Sequence, residues 1–434
     1  MAKRFRIPAL ALALCLGSIT AAAQDSAELL NRMKAMEDRI KSLEAEVQDL
    51  KGQQAATTAA LTAASPAPPT QTPAAAPEVA AAQPALGGAG GAASKVLNPD
   101  IAVIGDFLGA IGQPAGRVTP ALQMHESEVA FQAILDPYAR ADFFISFGEH
   151  GVDLEEGYVT FPALPGHVQL RVGKMRAAFG KVNTLHNHVL PWTDRPLVTQ
   201  DLVGGEDGIA DAGFSLSRIF AGPKDIFFEG TAQLFRGDSF NLYQSYHRSD
   251  VSTVEHVRAY RDISESTNLD LGVSYSRGHS VWSPTAVSQL YGADATFRWK
   301  PLRRAIYHSF VGRSEFIWNR LEFPVKTFTP FGYYASGDYQ FARRWFLGAR
   351  FDRSERLGNW FTVDGAVFGL PSFDNLNSLQ QFQDTGGSLV LTYWPSEFSQ
   401  IRGQLRRTEY GDRTANEFLF QFQFSIGAHG AHPF

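Results

Sequence analysis

Residues 418–426 read Phe418-Leu419-Phe420-Gln421-Phe422-Gln423-Phe424-Ser425-Ile426, so nearly every second side chain is a large aromatic. Successive side chains of a strand point to opposite faces. Phe418, Phe420, Phe422, Phe424 and Ile426 therefore form one face and Leu419, Gln421, Gln423 and Ser425 the other. In a soluble sandwich the phenylalanine face would be core. In an outer-membrane strand it meets lipid, while the glutamine and serine face lines water.

The connections between such segments decide between these readings. Alternating segments recur upstream to Asn98, and many are joined by tight turns: Asp136-Pro137-Tyr138, residues 162–166, residues 221–224, Ser264-Glu265-Ser266, residues 301–304, Ala342-Arg343-Arg344 and Pro395-Ser396-Glu397. The intervening connections are longer, notably 176–205, 237–253 and 355–384. Tight turns on one rim and long loops on the other describe a bacterial outer-membrane barrel. The strands before Gly237 and after Asn268 would both run outward, so parity requires a strand between them, which residues 254–262 supply. The expected fold is an all-β transmembrane, 16-stranded antiparallel outer-membrane β-barrel over residues 97–434, with both ends on the periplasmic side. Tyr275, Trp299, Trp345 and Tyr393 are placed near strand ends, where aromatic girdles sit.

The rest of the chain fits an exported protein. Lys3, Arg4 and Arg6 precede the apolar run 7–16, and Ala21-Ala22-Ala23 offers a cleavage site, so residues 1–23 read as a signal peptide. Residues 24–52 carry Leu29, Met33, Met36, Ile40, Leu43, Val47 and Leu50 at alternating spacings of four and three, an N-terminal α-helical coiled coil expected in the periplasm. Residues 53–96 are Ala-, Pro- and Thr-rich and read as a disordered linker. The one cysteine, Cys15, lies in the leader, which excludes a disulfide framework or a Cys-rich metal module. A net charge of -5 argues against a nucleic-acid partner.

Sixteen strands enclose an aqueous channel rather than a filled core. Alternation places Arg140, Asp142, Arg171, Arg298, Arg313, Arg350, Arg402 and Arg406 on the pore lining, with Arg258, Glu229, Asp270, Asp294, Glu315, Asp338 and Asp352 on the same face, and Lys174 is expected to join that lining beside the loop. Charges of both signs are nearly balanced. Arg402 and Arg406, flanking Gln404 with no acid on their own face of the strand, leave a positive ladder for anions open. The loop 176–206 is the candidate constriction. It carries Arg176, Phe179, Lys181, His186, His188, Trp192, Arg195, Asp201 and Glu206, with Asp207 following. Folded into the lumen, it would narrow the channel.

His186-Asn187-His188 and His429-Gly430-Ala431-His432 have spacings a metal can use, but neither has a third ligand nearby in sequence, so no metal and no cofactor is expected. Glu155 and Glu156, as strand neighbours, should point to opposite faces and act independently. No nucleophile elbow, zincin helix or phosphate-binding glycine loop is present, so the chain does not read as an enzyme.

The run Leu170-Arg171-Val172-Gly173-Lys174-Met175-Arg176-Ala177-Ala178-Phe179-Gly180, the following Asp194-Arg195-Pro196 and the coiled-coil segment together resemble the phosphate-selective porin O and P family and its coiled-coil-bearing dicarboxylate relatives. The resemblance spans about residues 98–434. It implies a homotrimeric outer-membrane porin and leaves an anion preference open. Strongly phosphate-selective members carry a dense arginine ladder and constriction lysines; here Lys174 and Lys181 are the lysines near the loop. The terminal Phe434 supplies the aromatic end read by the insertion machinery. The expected partners are outer-membrane lipid, small polar or anionic solutes, and a periplasmic or cell-wall partner for the coiled coil. The expected function is passive diffusion of small polar solutes; the alternative is an envelope-tethering structural barrel acting through that coiled coil.

Overall fold

The computed structural model describes residues 99–427 apart from 114–119, 150, 240, 325, 359–379 and 412, together with Lys34, Lys41 and Ser42. The signal peptide, the linker, His429, His432 and Phe434 lie outside the described residues. So does the coiled coil, except for Lys34, Lys41 and Ser42, which are helical. No described helix is long and apolar enough to cross a membrane.

The strands are β1 (Asp100–Gln113), β2 (Leu122–Asp136), β3 (Ala139–Gly148), β4 (Gly151–Leu164), β5 (Val168–Arg176), β6 (Ala210–Ala221), β7 (Phe227–Phe235), β8 (Ser252–Ser264), β9 (Thr267–His279), β10 (Val287–Trp299), β11 (Ser309–Glu322), β12 (Thr327–Phe328), β13 (Phe331–Ala342), β14 (Trp345–Gly358), β15 (Gln380–Ser396), β16 (Ser399–Tyr410) and β17 (Arg413–Gly427). β12 is a two-residue extension paired with the end of β11. The other sixteen strands pair antiparallel with their neighbours, and β1 pairs with β17, Ala102 opposite Gly427, to close the barrel. Closure removes every sheet edge, as a structure solvated by hydrocarbon requires.

One rim carries the connections 137–138, 165–167, 222–226, 265–266, 343–344 and 397–398, with a longer one at 300–308. The opposite rim carries 177–209, 236–251, 280–286 and 323–330, alongside short links at 149–150 and 411–412. The loop expected over 176–206 runs on to residue 209, and β6 starts at Ala210.

The two faces differ as alternation dictates. Phe422, Ile426, Leu389, Leu405, Phe351 and Val273 are exposed on the outside, where only lipid would solvate them. On β17 the alternate Gln421 is buried and donates to Asp106 of β1 at 2.9 Å. Trp345 at the start of β14 stacks on Tyr393 at 4.4 Å, and toward the other rim Trp318 stacks on Phe331 at 4.8 Å. Trp299 ends β10, whereas Tyr275 sits further into β9, tilted against Tyr291.

Candidate functional site

The connection 177–209 is folded rather than draped. It contains two single-turn 3₁₀ segments, Val182–Thr184 and Asn187–Val189, and a short helix α1, Leu197–Leu202. α1 starts directly after Asp194-Arg195-Pro196, where the fixed φ of proline suits a helix start. Gly180 (φ 60) and Gly208 (φ 59) need a backbone that L side chains rarely adopt. An added Cβ at Gly180 would strike the Glu315 carboxylate, and one at Gly208 would strike Asn183.

Contacts from this loop reach around the inner wall. The Ala178 amide donates to Gln233 on β7 (2.7 Å) and the Gly180 amide to Ser274 on β9 (2.9 Å). Lys181 Nζ lies 2.7 Å from Asp270 on β9, and the Val182 amide donates to Glu315 on β11 at 2.8 Å. The Leu197 amide donates to Asp352 on β14 (3.2 Å), and Thr193 to Gln404 on β16 (2.9 Å). His186 meets Glu128 on β2 and Glu155 and Glu156 on β4. A segment touching the inward residues of β2, β4, β7, β9, β11, β14 and β16 lies across the lumen.

Asp194 is the strongest of these anchors. Its carboxylate sits 2.9 Å from Arg350 Nη2 and 2.8 Å from Arg406 Nη1, and Gln404 donates to it at 2.5 Å. Arg402 donates to the carbonyl of Trp192 at 3.1 Å. Burial alone would raise the Asp194 carboxyl, but Arg350 and Arg406 hold it down to about 2. Arg406 is therefore engaged by the protein's own carboxylate, and Arg402 by Thr392, Gln421 and the Trp192 carbonyl, rather than presented as an open ladder. At Asp201 the balance runs the other way: loss of hydration, reinforced by Asp384, raises the carboxyl to about 7.

An apolar cluster fills the space between loop and wall. Phe179, Val182, Leu190, Trp192, Val198, Leu202 and Ile209 of the loop pack with inward-facing Phe235, Val254, Leu290, Ile317, Tyr334 and Val390. Trp192 meets Tyr334 edge-on at 5.3 Å and lies under the Arg350 guanidinium at 4.8 Å. A second loop joins from 236–251: the Tyr243 hydroxyl bonds Ser276 at 2.7 Å, and Asn241 donates to Gly204 O.

Two readings of the sequence are corrected here. Glu155 and Glu156 do not act independently. Phe144 pairs with Glu156 and Ile145 with Leu154, so Glu155 is the extra residue of a β-bulge, and a bulge re-aims a side chain. A matching bulge at His125 lies on β2, between Asp106–Glu126 and Phe107–Met124. The two bulges flank β3 and crowd His125, Glu126, Glu128, Glu155 and Glu156 toward the loop. The histidine pair 186/188 consequently has carboxylates beside it in space: Glu128, Glu155 and His186 place side-chain N and O atoms within 4.8 Å of one another, as do Glu126, Glu128 and His188. Sequence proximity missed these because they come from two other strands.

The remaining predicted residues are placed as follows. Arg140 pairs with Asp142 at 2.7 Å, Arg313 with Asp338 at 2.7 Å, and Arg258 with Asp270 at 2.7 Å; Arg298 lies 3.8 Å from Asp270. Arg171 stacks over Tyr158 at 5.2 Å. Arg176 is buried and bonds Glu155 and the carbonyls of Glu206 and Asp207. Arg195 is buried and donates to the carbonyls of Val182 and Leu185, so it braces the loop internally. Glu206 and Asp207 are exposed, with Glu206 3.5 Å from His125. Lys174 departs from the expected pore lining. It pairs with Gly157, which in turn pairs with outward-facing Phe143, so register puts it on the outer face, from which it reaches Leu154 O and Asp153.

No protein-family model matches the chain. An uncharacterized protein of Aquifex aeolicus (strain VF5) is 28% identical over 345 residues, covering 72% of this chain and 70% of that one. Among solved structures, the high-pH structure of Pseudomonas putida OprB matches with a TM-score of 0.51 at 9% identity, over 77% of this chain and 95% of its own. The outer membrane channel DcaP of Acinetobacter baumannii matches at 0.47 with 11% identity, over 76% and 96%. The OprB likeness shows a shared fold, that of outer-membrane β-barrels.

Proposed function

We propose that the chain is an outer-membrane porin that passes small polar solutes by passive diffusion, with the 177–209 loop as its constriction. The observation that carries this reading is the loop itself, held across a closed barrel by hydrogen bonds and ion pairs to inward residues on seven strands. Such a loop narrows the cross-section and lines what remains with fixed charges.

Charge selectivity follows from pairing. Arg140, Arg258, Arg313, Arg350 and Arg406 each have a carboxylate within 3 Å. This matching supports a weakly selective pore over a phosphate-selective one. A homotrimer in the bacterial outer membrane, with the N-terminal segment in the periplasm, completes the proposal. The test is reversal potential across a planar bilayer under a tenfold KCl gradient. Steady unit conductance with a potential near zero is expected; absence of conductance in correctly folded protein contradicts the porin reading, and a potential near the chloride limit contradicts the weak selectivity.

A further inference from the structure

The cluster where the loop meets β2 and β4 has a donor set and a geometry that protons alone do not satisfy. His186 Nε2 lies 3.1 Å from Glu156 Oε2, the arrangement in which a histidine donates one ring N–H to a carboxylate. Its other nitrogen, Nδ1, then faces two more carboxylates at once, Glu128 Oε2 at 2.7 Å and Glu155 Oε2 at 3.0 Å. A single proton on Nδ1 points along one line and serves one of them. Glu128 is 1% exposed; its Oε2 shares the His186 Nδ1 nitrogen with Glu155, and its Oε1 has no hydrogen-bond partner among the described residues. A fully buried carboxylate left with one oxygen unpartnered and the other sharing its donor is costly unless a cation compensates it.

We propose that Glu128, Glu155 and His186 bind a first-row divalent cation such as Zn²⁺, which fastens the constriction loop to the barrel wall. Ligand atoms about 2.1 Å from a common ion lie roughly 3 to 4 Å apart, and this triad has its atoms within 4.8 Å. Imidazole nitrogen with carboxylate oxygens and no thiolate is a set suited to zinc and its first-row neighbours. The surroundings form the outer shell such sites use. Glu156 orients His186, Arg176 Nη2 donates to Glu155 at 3.1 Å, and Ser146 bonds Glu155. Glu126 and His188 flank Glu128 on its other side, His188 Nδ1 being 3.7 Å from Glu128.

The site is tested on the mature full-length protein, purified in detergent without an oligohistidine tag and stripped with chelator. Calorimetric titration with Zn²⁺ is expected to show saturable binding, weakened at least 100-fold in Glu128→Gln and about 10- to 100-fold in Glu156→Gln. His429→Gln/His432→Gln should bind as the parent does. Absence of saturable binding, undiminished binding in Glu128→Gln, or its loss in the 429/432 variant overturns the proposal. Zinc-edge absorption on the parent protein gives a check that needs no variant: a nitrogen and oxygen shell with imidazole scattering is expected, and a shell without imidazole overturns the assignment. Binding is read here and flux in the conductance assay, so the two readings fail independently.

Discussion

Replacing Asp194 with Asn keeps the side-chain shape and removes the charge shared by Arg350 and Arg406. The carboxyl is held at about 2 against an ordinary 3.8, which by linkage is worth roughly 2 to 3 kcal/mol of loop docking at neutral pH. The variant arginines keep other partners, Asp352 for Arg350 at 2.7 Å and Glu417 for Arg406 at 2.5 Å, so no orphaned buried charge adds to that figure. The undocked population should rise about 30- to 150-fold. Hydrogen exchange reports it directly, because the Thr193 and Leu197 amides are protected only through bonds to Gln404 and Asp352 on the wall. Their exchange in Asp194→Asn should accelerate by that factor while β10 and β15 amides stay unchanged. The pH dependence has a definite sign: a depressed carboxyl contributes above about pH 4 and loses its contribution as pH falls toward 2, so acid should accelerate exchange in the parent and much less in the variant. Exchange at Thr193 and Leu197 within a factor of about 3 of the parent would refute the Asp194 anchor.

Asp201 behaves oppositely: its carboxyl is raised to about 7 beside Asp384 and Asp352, with Arg356 opposing, so the docked loop holds a proton that the free loop has released. Docking of α1 should weaken as pH climbs from about 4 to 7, by on the order of 2 kcal/mol given its partial exposure, and Asp201→Asn should flatten the Leu202 and Val203 exchange profile over that range. Trp192→Ala removes a ring that is 0% exposed between Tyr334 and Arg350; a cost of about 3–5 kcal/mol is expected, seen as noisier and larger unit conductance. Leu389→Arg, on the outer face at mid-strand and 58% exposed, should cost about 2–4 kcal/mol of barrel stability in lipid, measured by urea titration of folding into vesicles; a change below about 0.5 kcal/mol would deny that this face meets hydrocarbon.

The wall of the barrel was legible because a two-residue period survives locally. The Phe418–Ile426 face, the tight turns and the parity argument for Val254–Asp262 all rest on information within a strand or its neighbour. What was hidden is interior. Val254, Leu290, Ile317 and Val390 are inward apolar residues that a water-lined wall would not carry, and their purpose appears only once Phe179 and Trp192 of a distant loop pack on them. The bulge at Glu155 was equally silent: one extra residue on β4 breaks the alternation, and nothing in Leu154-Glu155-Glu156 announces it. Arg402 and Arg406 read as a ladder for solute because their loop partners, the Trp192 carbonyl and Asp194, lie more than 200 residues away in sequence. Lys174 shows the converse error, since its odd spacing of three from inward-facing Arg171 on β5 already puts it on the outer face.

The central claim is that residues 177–209 obstruct an otherwise hollow, membrane-spanning barrel. Its most direct test is unit conductance in planar bilayers of the parent protein beside a variant in which 178–208 is replaced by a short Gly-Ser link, both shown to be folded. The account predicts small, steady openings in the parent and a severalfold larger conductance in the variant. Equal conductance in the two, or closed barrels in both, would contradict it.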